Sequence, residues 1–140
     1  MIMDKNPITI ETVVNAPIEK VWEYWNKPEH ITKWAFASDD WEAPKSENDL
    51  RTGGKFTTTM AAKDGSQSFD FEGEYTIVTE YKRIEYTMSD GRQVKIVFEA
   101  TPEGTKITQS FDPESENPRD MQKDGWQSIL DNFKNYTENN

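Results

Sequence analysis

The chain of 140 residues has one histidine and no cysteine, and those two facts remove most covalent and metal chemistry. A serine nucleophile needs an adjacent base, and His30 is the sole imidazole. It falls in a short helical stretch, where a surface or capping role is the plainer reading. Without cysteine there is no thiolate nucleophile, no disulfide, and no cysteine-held zinc or iron–sulfur cluster. A zinc site built on one histidine would also need carboxylates, and none has the spacing. Asp112, Glu114 and Glu116 alternate in a loop and could hold calcium loosely. They lack the glycine and the terminal bidentate glutamate of an EF-hand loop, so a solvated acidic turn is the better reading. Gly53-Gly54 is no phosphate cradle, because neither GxGxxG nor GKS/GKT is present. No cofactor, no metal and no catalytic residue is therefore expected.

What remains are polar tips on an apolar pattern. A buried carboxylate or tyrosine could still serve as a general acid or base. Strand alternation turns Asp70, Glu72 and Glu74 outward, and Tyr75, Tyr86 and Gln109 inward. The plainer reading makes the inward ones core residues with locally satisfied tips. The functional reading makes them a few polar handles in an apolar cavity, which is what a small-molecule site requires. Met60, Met88 and Met121 either fill core gaps or form adaptable walls.

The elements that must carry these side chains are legible from period. Ile8, Ile10, Thr12 and Val14 share one face of a first strand. A helix follows from Pro17 at its first position, with Ile18, Val21, Trp22 and Trp25 as its stripe. Lys27-Pro28 interrupts it, and residues 28–34 form a second short helix with Ile31 and Trp34 inward. Residues 36–50 read as a long irregular loop carrying Trp41, either a lid or a plain cover. Hairpin turns at Asp64-Gly65, Asp90-Gly91 and Pro102-Glu103-Gly104 then separate strands in an antiparallel meander. Their inward faces are Phe56 and Met60; Phe69, Phe71, Gly73, Tyr75 and Ile77; Ile84, Tyr86 and Met88; Val94, Ile96 and Phe98; Ile107, Gln109 and Phe111. Gly73 marks a bulge, a bend or a close approach.

Residues 117–136 form one long amphipathic helix, with Asn117 as N-cap, Pro118 at the first position and Asp120 in the first turn. Its apolar residues are Met121, Trp126, Ile129, Leu130, Phe133 and Tyr136. Gly125 costs such a helix about 1 kcal/mol against alanine, so a packing reason, against sheet or ligand, is expected. Residues 137–140 should fray. The expected class is α+β: a curved antiparallel sheet of about six strands wrapped around the terminal helix, with two short helices after the first strand.

The formal net charge is −10, from 26 acidic and 16 basic residues with both signs interspersed. No basic stripe is present to neutralise phosphates, which argues against nucleic acid. No stretch approaches the roughly 20 apolar residues of a membrane span. The first residues lack the basic and apolar regions of a secretory signal, and the missing cysteines suit a reducing cytoplasm. Aromatics make up 12% of the chain, while leucine occurs only at Leu50 and Leu130. The core must therefore be built from rings, Ile, Val and Met. One domain over residues 1–140 is expected, with its core at about residues 8–136. Monomer and homodimer are both open.

The order of elements resembles the helix-grip fold of the START and birch-pollen-allergen superfamily. Local words sharpen the likeness. NAPIEKVWEYWNKPEHITKW is similar to the family opening, A-P-x-x-x-V-W followed by P-E-H-I-x-x-W. DDWEAPKSENDLRTGGKF, MAAKDGSQSFDFEGEY and GWQSILDNFKNY are similar to a bacterial subgroup. That subgroup is related to the co-chaperone that activates the heat-shock protein 90 ATPase and to a self-sacrificing enediyne-resistance protein. The resemblance implies a hydrophobic cavity between the sheet's concave face and the terminal helix. Alternation then assigns its lining to Phe56, Met60, Phe71, Tyr75, Tyr86, Met88, Phe98 and Phe111 from strands. Met121, Trp126, Ile129, Leu130 and Phe133 come from the helix, and Trp34 and Trp41 sit near a mouth. Superfamily members bind lipids, hormones or polyketides, and some are cyclases or aromatases. The leading expectation is a non-catalytic binder of a small hydrophobic molecule. A co-chaperone-like module with a protein partner is second, and an enzyme acting on a polyketide-like substrate is the weakest.

Overall fold

The computed structural model describes residues 6–140. Residues 1–5, part of the stretch read as lacking a signal, lie outside the described residues. Period-two segments become strands and period-3.6 segments become helices. The order is β1 (Ile8–Val14), α1 (Ile18–Asn26), α2 (Pro28–Ile31), β2 (Trp41–Asn48), β3 (Lys55–Ala62), β4 (Ser68–Thr79), β5 (Arg83–Met88), β6 (Gln93–Thr101), β7 (Gly104–Phe111) and α3 (Arg119–Asn139). Among the described residues the strands form one antiparallel sheet of seven, ordered β1-β7-β6-β5-β4-β3-β2. The expected α+β helix-grip architecture is what forms, with one strand more than expected. The sheet curls into a half-barrel, and α3 lies in its concavity. Helices α1 and α2 connect the two edge strands, so they span the open side.

The additional strand is β2, in the segment read as a loop. Its sequence, WEAPKSEN, is polar and holds Pro44. Both features suit an edge strand, and its register with β3 shifts between Glu42 and Lys45. Proline sits there without breaking an internal ladder, and the charges blunt an exposed edge.

A second departure lies in β4. Tyr75 pairs with Tyr86, but the next partner pair is Ile77 with Glu85. The extra residue of this bulge swaps the faces beyond it. Ile77, expected inward, is 37% exposed, and Val78 takes the inward position opposite Ile84. Gly73 marks a close approach: a Cβ there would lie 2.8 Å from the Phe56 ring and 2.8 Å from the Thr87 carbonyl oxygen. Phe56 is its cross-strand partner and occupies the space a side chain would fill.

The terminal helix starts at Arg119 with Pro118 as its cap residue, one position later than expected, within the usual spread of helix ends. It runs to Asn139, and its last turn is held rather than frayed. Thr137 is fully buried. The Asn15 N–H donates to the Glu138 carboxylate at 2.8 Å, and Lys134 donates to the Val13 carbonyl at 2.8 Å. These bonds fasten α3 along β1. A Cβ at Gly125 would have nothing within 4 Å among the described residues, so they supply no packing reason for it. Behind α3 the core is dense with rings: Phe133 meets Trp25 at 4.8 Å and Trp34 at 4.9 Å between centroids.

Candidate functional site

A cavity of about 390 Å³ lies between the inner face of the sheet, α3 and the α1–α2 segment. Its walls are mostly rings. Phe56 is the hub, with centroids 5.8 Å from Phe71, 5.3 Å from Tyr75 and 4.7 Å from Tyr86. Phe71 in turn meets the Trp126 indole edge-on at 5.9 Å. Strand alternation directs the first four inward, and the helical face of α3 supplies Trp126, Ile129 and Leu130.

Of the fifteen positions assigned from alternation, Trp34, Phe56, Met60, Phe71, Tyr75, Tyr86, Trp126, Ile129 and Leu130 line the cavity. Three others pack behind the wall. Phe98 is wedged against Trp22 and Trp25, Phe111 lies under Trp126, and Phe133 is in the ring cluster described above. Met88 is buried and borders a separate groove beside Gly73. Met121 is 61% exposed, because it falls off the apolar stripe of α3; it belongs to solvent, not to the wall. Trp41 packs on Phe69 at 6.0 Å, at the end of β2. Phe69, 51% exposed, is itself on the cavity wall.

Alternation and the helical stripe missed several polar and flanking residues on the wall. Asn48 is one. The Tyr75 hydroxyl donates to Asn48 Oδ1 at 2.5 Å, and Asn48 Nδ2 donates to the Asn26 carbonyl at 2.7 Å. Asn26, itself buried, donates from Nδ2 to the Trp22 carbonyl at 2.9 Å. This chain of bonds ties β4 through β2 to the end of α1. At the other side Gln122 clamps the loop before α3. It accepts from the Glu114 N–H at 2.8 Å and donates to the Glu114 and Asn117 carbonyls at 3.1 and 2.8 Å. Arg92 is the third omission. It shares parity with Val94 and Ile96, a signal its charge concealed.

Two polar groups on the wall differ from the rest. Tyr86 and Gln109 are buried, at 7% and 6% exposure. Neither side chain has a hydrogen-bond partner among the described residues. Burial pushes Tyr86 far above the ordinary phenol value; Tyr75 adds to this and Arg92 opposes it. Tyr75 is raised chiefly by burial as well, against the pull of Asn48. Both phenols therefore stay protonated and act as donors, not as bases. His30 lies elsewhere: its Nδ1 is 2.7 Å from the Tyr136 hydroxyl and its ring stacks on Tyr24 at 3.9 Å. The acidic turn is also structural. Asp112 is buried and accepts the Gln93 N–H at 2.8 Å, and Glu114 accepts the Asn117 N–H at 2.7 Å. Among the described residues no group of His, Asp or Glu is placed to hold a metal ion, and no helix is long and apolar enough to cross a membrane.

Comparison with known proteins agrees with this architecture. The solution NMR structure of the AHSA1-like protein from Aeromonas hydrophila is 45% identical, over 96% of this chain and 93% of that one, with a TM-score of 0.91. Chr148 from Cytophaga hutchinsonii is 59% identical, over 95% of this chain and 92% of its own, with a TM-score of 0.83. NE0264 from Nitrosomonas europaea, 22% identical over 95% and 94% of the two chains with a TM-score of 0.81, shares the fold. No curated protein matches the chain. The family described as Activator of Hsp90 ATPase homolog 1-like protein matches residues 15–138. With that match spanning nearly the whole sequence, the chain belongs to the family of activator of Hsp90 ATPase homolog 1-like proteins.

Proposed function

We propose that this protein binds a small, largely hydrophobic molecule in the ring-walled cavity and performs no chemistry on it. The observation that carries this reading is the cavity itself. Its volume of about 390 Å³ falls within the range of small-molecule sites, about 300–1,000 Å³. Apolar burial would drive binding at about 25 cal/mol per Å² removed from water. Loss of ligand freedom offsets at least about 4 kcal/mol of that, so the polar wall groups decide the final affinity. Protonated phenols offer hydrogen bonds but no base, which favours binding over catalysis. A location in a reducing cytoplasm and a single-domain organisation belong to the same proposal.

Native mass spectrometry of the purified protein tests it. A co-purifying hydrophobic mass, or a rise in melting temperature with hydrophobic compounds, is the expected result. A broad panel that leaves the melting curve unmoved overturns the reading.

The family's description favours a second reading, a co-chaperone-like contact with an ATPase partner. Stimulated turnover of a purified chaperone ATPase on adding this protein would favour it, and unchanged turnover would remove it.

A further inference from the structure

We infer that the molecule this cavity takes carries a carboxylate, received by the free end of the Arg92 guanidinium with the Tyr86 hydroxyl as a second donor. The inference rests on the small-molecule reading above and deepens it.

Arg92 enters the wall through the β5–β6 hairpin. The Met88 N–H donates to the Arg92 carbonyl at 2.7 Å, which sets Arg92 opposite Met88 and two positions before buried Val94. Asp90 holds it from both sides. One carboxylate oxygen accepts from Nε at 2.8 Å, and the other accepts the Arg92 backbone N–H at 3.1 Å. That bond uses Nε alone. Nη1 and Nη2 make no hydrogen bond among the described residues. Their parallel N–H pair is the fork that fits a carboxylate bidentately.

The surroundings point to the same chemistry. Arg92 and Glu114 are the charged residues on the wall among the described residues. Glu114 accepts the Asn117 N–H through one oxygen at 2.7 Å, and Arg92 is the one cation on the wall among the described residues. Tyr86 pairs with Val94, two positions along β6 from Arg92, and both side chains line the same cavity. The Tyr86 hydroxyl and the Gln109 carboxamide open onto the cavity without a hydrogen-bond partner among the described residues, and covering them with a purely apolar ligand would cost about 1–3 kcal/mol each. A ligand group that accepts from Tyr86 and Arg92 removes part of that cost, which an alkyl group cannot do. An aromatic or aliphatic tail would then fill the space among Phe56, Phe71 and Trp126.

Matched acids and carboxamides on naphthalene, biphenyl and dodecyl scaffolds, titrated by calorimetry, test the assignment. The wild-type protein is expected to bind the acid about tenfold tighter than its amide. Arg92→Gln should remove that preference and leave the amide's affinity within about twofold. Tyr86→Phe should weaken the acid severalfold and spare the amide. If Arg92→Gln does not fold, Arg92→Lys keeps the charge but loses the fork and should retain only part of the preference. Acid and amide binding equally to the wild type overturns the carboxylate and leaves the cavity reading standing. A preference that survives in Arg92→Gln overturns the residue assignment. If no member of the panel binds, the cavity reading falls and this inference falls with it.

Discussion

The indole of Trp126 lies flat on the ring of Phe111, with centroids 4.0 Å apart and planes 10° from parallel. One face of the indole is therefore spent on β7, and its edge meets Phe71 across the cavity. Trp126 both seats α3 on the sheet and forms part of the wall. Replacing it with alanine should lower stability by about 2–4 kcal/mol, combining lost burial with lost stacking. Chemical denaturation measures this. In the wild type, tryptophan emission should also shift when a ligand fills the cavity, and Trp126→Phe should reduce that change, leaving the part that Trp25 and Trp34 on the same wall contribute.

Gly73 is a position where a single methyl group has nowhere to go. Gly73→Ala sets a carbon 2.8 Å from both the Phe56 ring and the Thr87 carbonyl oxygen. The ring can turn, but the backbone oxygen cannot move without disturbing the β4–β5 ladder. A loss of about 1–3 kcal/mol is expected, with lowered melting temperature as the measure. Unchanged stability would mean that the ladder yields more easily than its register suggests.

Gly125 behaves in the opposite way. A methyl group there meets nothing within 4 Å, so only helix propensity acts. Gly125→Ala should stabilise the protein by about 1 kcal/mol and leave ligand affinity unchanged. A destabilised variant would show that α3 needs the glycine for a motion or a contact outside the resting structure.

Thr137 is fully buried, and its Oγ1 has no hydrogen-bond partner among the described residues. Thr137→Val keeps the shape and removes the unsatisfied hydroxyl. Because replacing an unpaired buried polar group can relieve its desolvation cost, the variant should be at least as stable as the wild type, by up to about 1 kcal/mol. A clear loss would show that the hydroxyl is hydrated in solution.

Glu138 gives the last turn of α3 a dependence on pH. The Asn15 N–H, then Lys134, hold its carboxyl below the ordinary glutamate value of 4.5. A depressed folded-state value means that its contribution is complete above 4.5 and fades as pH falls through the lower folded value. Hydrogen exchange in the last turn should therefore accelerate on acidification below that range. Glu138→Gln should remove this part of the acid response, and an identical response in the variant would assign it to other carboxylates.

The fold was readable where one pattern ruled. Val94, Ile96 and Phe98 alternate without interruption, and Trp126, Ile129, Leu130 and Phe133 hold helical spacing, so sheet, helix and much of the wall followed. It failed where a partner overrode local pattern. WEAPKSEN shows no apolar alternation beyond Trp41, because an edge strand pairs through its backbone and needs few apolar residues. Ile77 continued the alternation in sequence, but the bulge after Tyr75 turned it outward; a bulge belongs to two strands and is invisible in one. Fraying was expected after Tyr136 because polar residues follow, yet Glu138 among them accepts the Asn15 N–H just past β1. Arg92 and Asn48 were hidden because charge and amide read as surface until neighbouring strands enclose them.

The pairing of β1 with β7 has a consequence for how the molecule is made. Thr9 and Ser110 join side chains across 101 positions of sequence, so β1 meets its ladder neighbour among the described residues only after β2 to β6 have been made. Until then its apolar face has no seat, and the β7 edge lies open. Such long-range closure is slow, and the nascent chain is exposed to wrong edge-to-edge partners throughout that wait. Completion of the sheet thus waits on the late meeting of β1 with β7.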